Sequence, residues 1–519
     1  VGPSPVNQVF QFMYGTTAKW VDGSETKPVG YLWVPEGCRR VRGVLVLCPN
    51  VPEHKLVGHE VIREMCRRND LAVVFSAPTF MNFRKDMPKE QGRTVELLEE
   101  LLAGLAGVSG YEEIATVPWV AIGESGHLLM VDALIEKRPE RCIAGVYLKN
   151  QHLPPTNREV PVLVIYGSAQ EWGQEKTDYR TKWSDVAGNY RGILNHRKAN
   201  EGWPLTYVID GHSGHFDCSE RLVRYVADYI EAMVKRRVGE DGSLRVAELG
   251  GGFVAGLRVP QHEAVAVRPV DASENKALPW YPSRELAEEA VAISDIDWEA
   301  KSQLPAMTDA DGNALPFDFN GINNMKAVRW EEDGVTFRVG AKLLEKLPEN
   351  FVGAGEPLAV TKGEPAIEWL CGPVAPLGGG RFRIALDRTY GAGATYLCVR
   401  AEGGEGVRGV VQPCGMQINA LRNSGAAQKI TFEPIGDVVV GTESVGLKAT
   451  SDAGLPVEFF VVAGPAVVRD GRLVFTPIPP SSKLPLKVTV AAWQWGRATE
   501  PRIKTAEVVR QEFEIVAAK

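Results

Sequence analysis

At 519 residues the chain is too long for a single hydrophobic core, and its length predicts roughly three domains. Hydrophobic residues make up 44% and charged residues 24%, an ordinary globular balance. The net charge of −7, without any basic block, excludes nucleic acid as the expected partner, because phosphate binding needs clustered Lys and Arg. No apolar run approaches the ~20 residues of a membrane span, so no membrane partner is expected.

The sequence begins "VGPSPVNQ" without a methionine. A leader removed from a secreted or periplasmic protein is therefore the expectation. Residues 1–240 alternate between two periodicities. Apolar runs at 30–35, 41–47, 71–77, 117–122, 142–148, 160–166 and 204–209 read as buried strands. Between them, "TVELLEELLAGL" puts Val95, Leu98, Leu101, Leu102 and Leu105 on one helical stripe. "ERLVRYVADYIEAMV" does the same with Leu222, Val226, Tyr229, Ile230 and Met233. Continuous apolar strands separated by helices predict a mostly parallel sheet with helices on both faces.

From about 240 the pattern changes. Residues 241–300 read as a linker or extension, Gly-rich at 239–252, with one helix at 283–293. Residues 301–427 carry only strand signals separated by Gly-rich turns, which predicts a β-sandwich. A second β module is expected over 428–519, where "SDAGLPVEFFVVAGPA" resembles bacterial immunoglobulin-like repeats. "DADGN" at 309–313 reads as a turn, since its glycine is out of register for a calcium loop. None of the eight cysteines forms a C-x-x-C pair, so no metal site is expected. Cys371, Cys398 and Cys414 lie close enough in sequence for one disulfide in an oxidising compartment.

The chemistry centres on "VAIGESGHLLM", where Ser125 stands at a strand-to-helix junction between Gly123 and Gly126. Parallel sheets place their reactive groups at such junctions. A sharp turn there needs small neighbours, and the helix behind it aims N–H groups and a positive dipole end at an anion. The motif resembles the G-x-S-x-G nucleophile elbow of the α/β-hydrolase superfamily, with His127 where the second glycine normally lies. That resemblance implies a nucleophile, an acid and a histidine in this chain order. His215, in "GHF" after the last strand, is then the general base, with His212 in reserve. The acid follows the preceding strand, where Gln170 occupies the usual position and Glu171 comes next; Asp185 and Asp210 are the alternatives. The oxyanion hole falls to the N–H groups of Gly126 and Val51, since Pro49 and Pro52 have none to give.

Between the acid and the histidine, residues 171–203 carry Trp172, Tyr179, Trp183, Tyr190 and Trp203 among polar residues. Trp172 and Trp183 are the candidates for stacking on a sugar or aryl group. With β modules appended, the whole resembles secreted bacterial carbohydrate esterases. That implies a Ser-His-acid esterase acting through an acyl-enzyme on small or polysaccharide esters, with no cofactor. A peptidase or feruloyl-type esterase on the same scaffold is the nearer alternative. A catalytically degenerate fold serving in glycan binding or adhesion is the other.

Overall fold

The computed structural model describes residues 9–518 apart from 22, 83–86, 150–151, 169–181, 272–276, 319–320, 386–393, 405 and 418–422. Eight strands build the principal sheet: β1 (Phe12–Gly15), β2 (Val29–Trp33), β3 (Gly43–Leu47), β4 (Leu71–Ser76), β5 (Trp119–Glu124), β6 (Cys142–Leu148), β7 (Val162–Gly167) and β8 (Leu205–Asp210). Their order is β1-β2-β4-β3-β5-β6-β7-β8, and only β2 runs against the rest. This mostly parallel sheet is consistent with an α/β-hydrolase fold.

The strands are apolar on both faces because both are covered. Val44 and Val46 of β3 join one buried cluster, and Leu45 and Leu47 join the other. The first cluster also holds α3 (Met87–Ser109), α4 (Leu128–Lys137) and α5 (Lys182–Ala199). The second holds α1 (Val51–Gly58), α2 (Glu60–Arg68), α6 (Glu220–Arg237) and α7 (Arg284–Ile293). A period of two along each strand thus divides the side chains between the two helical layers.

The segment expected to be a linker packs on this unit. Strands Val265–Pro269, Phe253–Gly256 and Trp280–Tyr281 form a small sheet, and α7 follows it. Thr206 Oγ1 donates to the Trp280 carbonyl (2.7 Å), and Tyr281 Oη donates to the Tyr207 carbonyl (2.9 Å). Ser294 Oγ accepts the Ile209 N–H at 3.0 Å, so the outer edge of β8 is covered rather than open to other chains.

Beyond residue 300 the described strands form small sheets. A four-stranded one orders Asn323–Asn324, Val410–Gln417, Ala394–Ala401 and Ala366–Cys371. A three-stranded one contains Thr336–Arg338, Arg381–Ile384 and Val374–Gly378. After 428 there is again one sheet of four strands and one of three, with a two-stranded pair. All eight cysteines are buried free thiols, so the anticipated disulfide is not formed. Asp309 accepts the N–H groups of Asp311 and Asn313, which makes 309–313 a turn. Among the described residues, no helix is long and apolar enough to cross a membrane.

The C-terminal strands return to the first unit. Gly464 N–H donates to the Phe10 carbonyl, the Tyr111 hydroxyl accepts the Ser481 N–H, and Lys483 pairs with Glu112. Trp280 tests whether residues 253–296 share the core of the principal sheet, because it is 1% exposed. Trp280→Ala should cost about 3–5 kcal/mol of stability in urea unfolding, as for other buried tryptophans; a true linker would lose far less.

Candidate active site

Ser125 leaves β5 with φ +53°, a left-handed conformation that non-glycine residues rarely adopt. The turn holds because its neighbours fix it from both sides. Glu124 N–H donates to Glu53 Oε1 at 2.8 Å, and Asn50 Nδ2 donates to the Glu124 carbonyl at 3.1 Å. Both partners come from the start of α1, so the helix following β3 grips the end of β5. A side chain on Gly123 would place its Cβ 2.6 Å from the His127 carbonyl oxygen, which explains that glycine.

His215, 2% exposed, comes from the loop between β8 and α6, and its Nε2 lies 2.9 Å from Ser125 Oγ. The two residues are 90 positions apart. With Nε2 unprotonated, the Ser125 hydroxyl donates to it, the geometry needed for proton transfer from a nucleophile. Glu124 Oε1 stands 3.2 Å from the same nitrogen. That carboxylate is fully buried.

The other histidines are spent elsewhere. His212, the reserve base, has φ +63°, and its Nδ1 lies 3.1 Å from the Gly409 carbonyl. His127, at the position of the missing glycine, is buried with Nδ1 3.2 Å from Glu53 Oε1. His54 is edge-on to Phe75, and burial, with His127 adding, lowers its imidazole to about 3.

Of the candidate acids, Asp210 is engaged by Lys149 Nζ at 2.5 Å. Glu171 lies outside the described residues, as do Trp172 and Tyr179. Trp183 and Asp185 fall in α5, their side chains also outside them. Val51 is buried at the first position of α1, and its N–H donates to Asn50 Oδ1 at 3.0 Å in a helix cap. Gly126 follows the serine at the start of the turn into α4. Tyr190 and Trp203, expected on the loop over the site, belong to the core: Tyr190 stacks on Tyr207, and Trp203 Nε1 donates to the Val160 carbonyl. The helical register of α5 turns Tyr190 toward the sheet rather than toward solvent.

The loop bearing His215 is anchored by groups the sequence did not single out. Buried Lys149, at the end of β6, donates to Asp210 and to Ser213 Oγ (2.9 Å), and Ser213 Oγ donates to Asp217 Oδ2 (2.9 Å). Arg400, on strand Ala394–Ala401, donates to Asp217 at 3.2 Å and to Glu368 at 3.0 Å. Among the described residues, Asp217, Glu368 and Cys398 have the spacing of metal ligands. They do not fit a metal ion. The Arg400 guanidinium binds both carboxylates, and burial pushes the Cys398 thiol well up, so it stays protonated. The Phe216 ring meets His215 edge-on (4.7 Å between centroids) and stacks on Tyr396 (5.6 Å).

No family model matches the chain, and no curated protein does. Among solved structures it is similar to the esterase domain of a Rhodothermus marinus protein, at 14% identity over 44% of this chain and 100% of that one, with a TM-score of 0.26. An S-formylglutathione hydrolase from Agrobacterium tumefaciens matches at 14% over 43% and 95%, with a TM-score of 0.28. LpqC, a poly(3-hydroxybutyrate) depolymerase from Bordetella parapertussis, matches at 14% over 47% and 98%, with a TM-score of 0.29. Likeness at this level carries nothing about chemistry, which rests on the side chains above.

Two outcomes are expected. Arg400→Ala leaves the Asp217 carboxylate buried without its cation, so it should destabilise the protein by about 3–5 kcal/mol in urea unfolding. Arg400→Lys should recover little, since one ammonium cannot bind two carboxylates as a planar fork does. The second outcome concerns acid. His54 stays neutral in the folded state down to about pH 3, whereas the unfolded chain protonates it below about 6.5. The unfolded state therefore takes up the extra proton, and stability falls by about 1.4 kcal/mol per pH unit from this group as pH drops through that window. Urea midpoints measured from pH 7 to pH 5 should fall less steeply for His54→Phe than for the wild type.

Proposed function

We propose that the protein is a serine hydrolase of carboxylic esters, most specifically a carbohydrate esterase. The observation that carries this is the strained Ser125 with its hydroxyl 2.9 Å from His215 Nε2 at the carboxyl end of a mostly parallel sheet. Ser125 Oγ attacks the ester carbonyl while His215 accepts its proton. The imidazolium then gives that proton to the departing alcohol, and water admitted to the site releases the acyl group by the same path. Glu171 orients His215 in this reading, and the Glu124 carboxylate stabilises the charged ring at Nε2. Asp210 is a poorer acid because Lys149 already holds it.

Gly126 N–H supplies the first oxyanion donor, at the start of a helix whose dipole favours the negative oxygen. Val51 N–H is the second, sharing its hydrogen with the Asn50 cap. Trp172 and Trp183 bind substrate. No cofactor enters the sequence of steps. The β sheets beyond residue 300 are read as two sandwich modules, the second immunoglobulin-like, on a secreted or periplasmic enzyme.

A fluorophosphonate probe tests the nucleophile directly. The wild type should be labelled on Ser125 and should release acetate from acetylated polysaccharide. Ser125→Ala should abolish labelling, and both Ser125→Ala and His215→Ala should lower kcat about a thousandfold or more. Folded wild-type protein that resists the probe would exclude the esterase reading.

A further inference from the structure

The cleft between the hydrolase unit and the appended sheet contains a cavity of about 500 Å³, lined among others by His54, Lys55 and His59 of α1 and its C-cap, Glu220 at the start of α6, and Glu368 and Trp369 of strand Ala366–Cys371. This lies within the volume range of small-ligand sites. Its charged groups neutralise one another. Lys55 Nζ lies 3.0 Å from Glu220, and Glu368 is bound by Arg400. His59 Nδ1 accepts the Val61 N–H at 3.2 Å, so the ring proton sits on Nε2, which donates to Glu220 at 2.9 Å. An anionic ligand would meet three carboxylates, Glu60, Glu220 and Glu368, whose cations are already engaged. A neutral ligand rich in hydroxyl groups finds both donors and acceptors.

Trp369 adds a flat apolar surface to this polar lining. It is half-buried, and its Nε1 donates to the Gly372 carbonyl at 3.2 Å, which fixes the indole. The same side chain packs in the small apolar cluster that holds Val51, Phe216 and Tyr396. Phe216 in turn touches His215. Trp369 and Phe216 thus pack against the same buried residues, on the side of the protein that carries the reacting pair. Burial pushes the Tyr396 phenol up, with Cys371, Asp318 and Glu124 adding, so this cluster stands in the field of the residue that precedes the nucleophile.

We propose that this cavity is a saccharide subsite that holds the carbohydrate part of the ester, a neutral pyranose chain with one ring stacked on Trp369. The assignment rests on the esterase reading for its place in catalysis and on the cavity alone for its ligand. A ring hydroxyl-rich at its rim and apolar on its face matches a wall that is polar around a single indole.

Two measurements decide it. With acetylated xylan and acetylated glucomannan as substrates, Trp369→Ala should lower kcat/KM at least tenfold through KM, while p-nitrophenyl acetate stays within twofold of wild type. Trp369→Phe should restore most of the loss. In the Ser125→Ala protein, calorimetric titration should show binding of xylotetraose or mannotetraose, and the added Trp369→Ala should abolish it. Equal losses on polymer and p-nitrophenyl acetate, or tetraose binding indifferent to Trp369, would overturn the subsite. Trp369-dependent binding in a protein whose Ser125 resists fluorophosphonate would keep the subsite and remove the esterase. A labelled Ser125 with no Trp369 dependence would do the reverse.

Discussion

A serine forced to φ +53° between a buried strand and a helix is the constraint on which the rest of the site depends. That backbone costs of order 1–3 kcal/mol and persists only where the surroundings over-determine it. Here Glu53 and Asn50 hold the peptide groups on either side of Glu124, and Gly123 leaves room for the His127 carbonyl. The strain turns the Ser125 hydroxyl out of the sheet and toward the β8–α6 loop. Without it the side chain would continue the alternation of β5 into one of the two apolar layers.

The histidine needs equal restraint, because a loop alone does not fix an imidazole to within a few tenths of an ångström. The polar chain Lys149, Asp210, Ser213, Asp217 and Arg400 provides it. Most of its members are almost fully buried, and every bond named is charge-assisted or closes on a carboxylate. Two of its links come from different sheets. The loop carrying His215 is therefore braced on one side by β6 and on the other by strand Ala394–Ala401.

The parts of this arrangement that depend on local pattern could be read from the sequence. The seven apolar runs became strands displaced by at most a few residues, and the glycines around Ser125 marked its turn. His215 was legible because a strand, a Gly-rich loop and an amphipathic helix surround it. Glu53, Lys149 and Arg400 were not, since a buried charge announces itself only through a partner, and theirs lie 32 to 183 positions away. Residues 241–300 read as a linker or extension because of the Gly-rich passage at 239–252 before them, whereas Trp280 and Tyr281 find their burial against β8. Tyr190 and Trp203 misled in the opposite direction, as rings in a polar stretch: Tyr190 lies on the inner face of α5, and Trp203 just beyond its end is buried against Val160.

The brace from Arg400 also has a consequence in time. A chain emerging from the ribosome completes the principal sheet, Ser125 and the His215 loop long before residue 400 is made. Domains generally begin folding from the N-terminal side during synthesis. The nascent sheet must therefore carry a loosely held imidazole until the distant strand arrives to clamp Asp217. Until residue 400 is made, the loop carrying His215 is held from the β6 side alone.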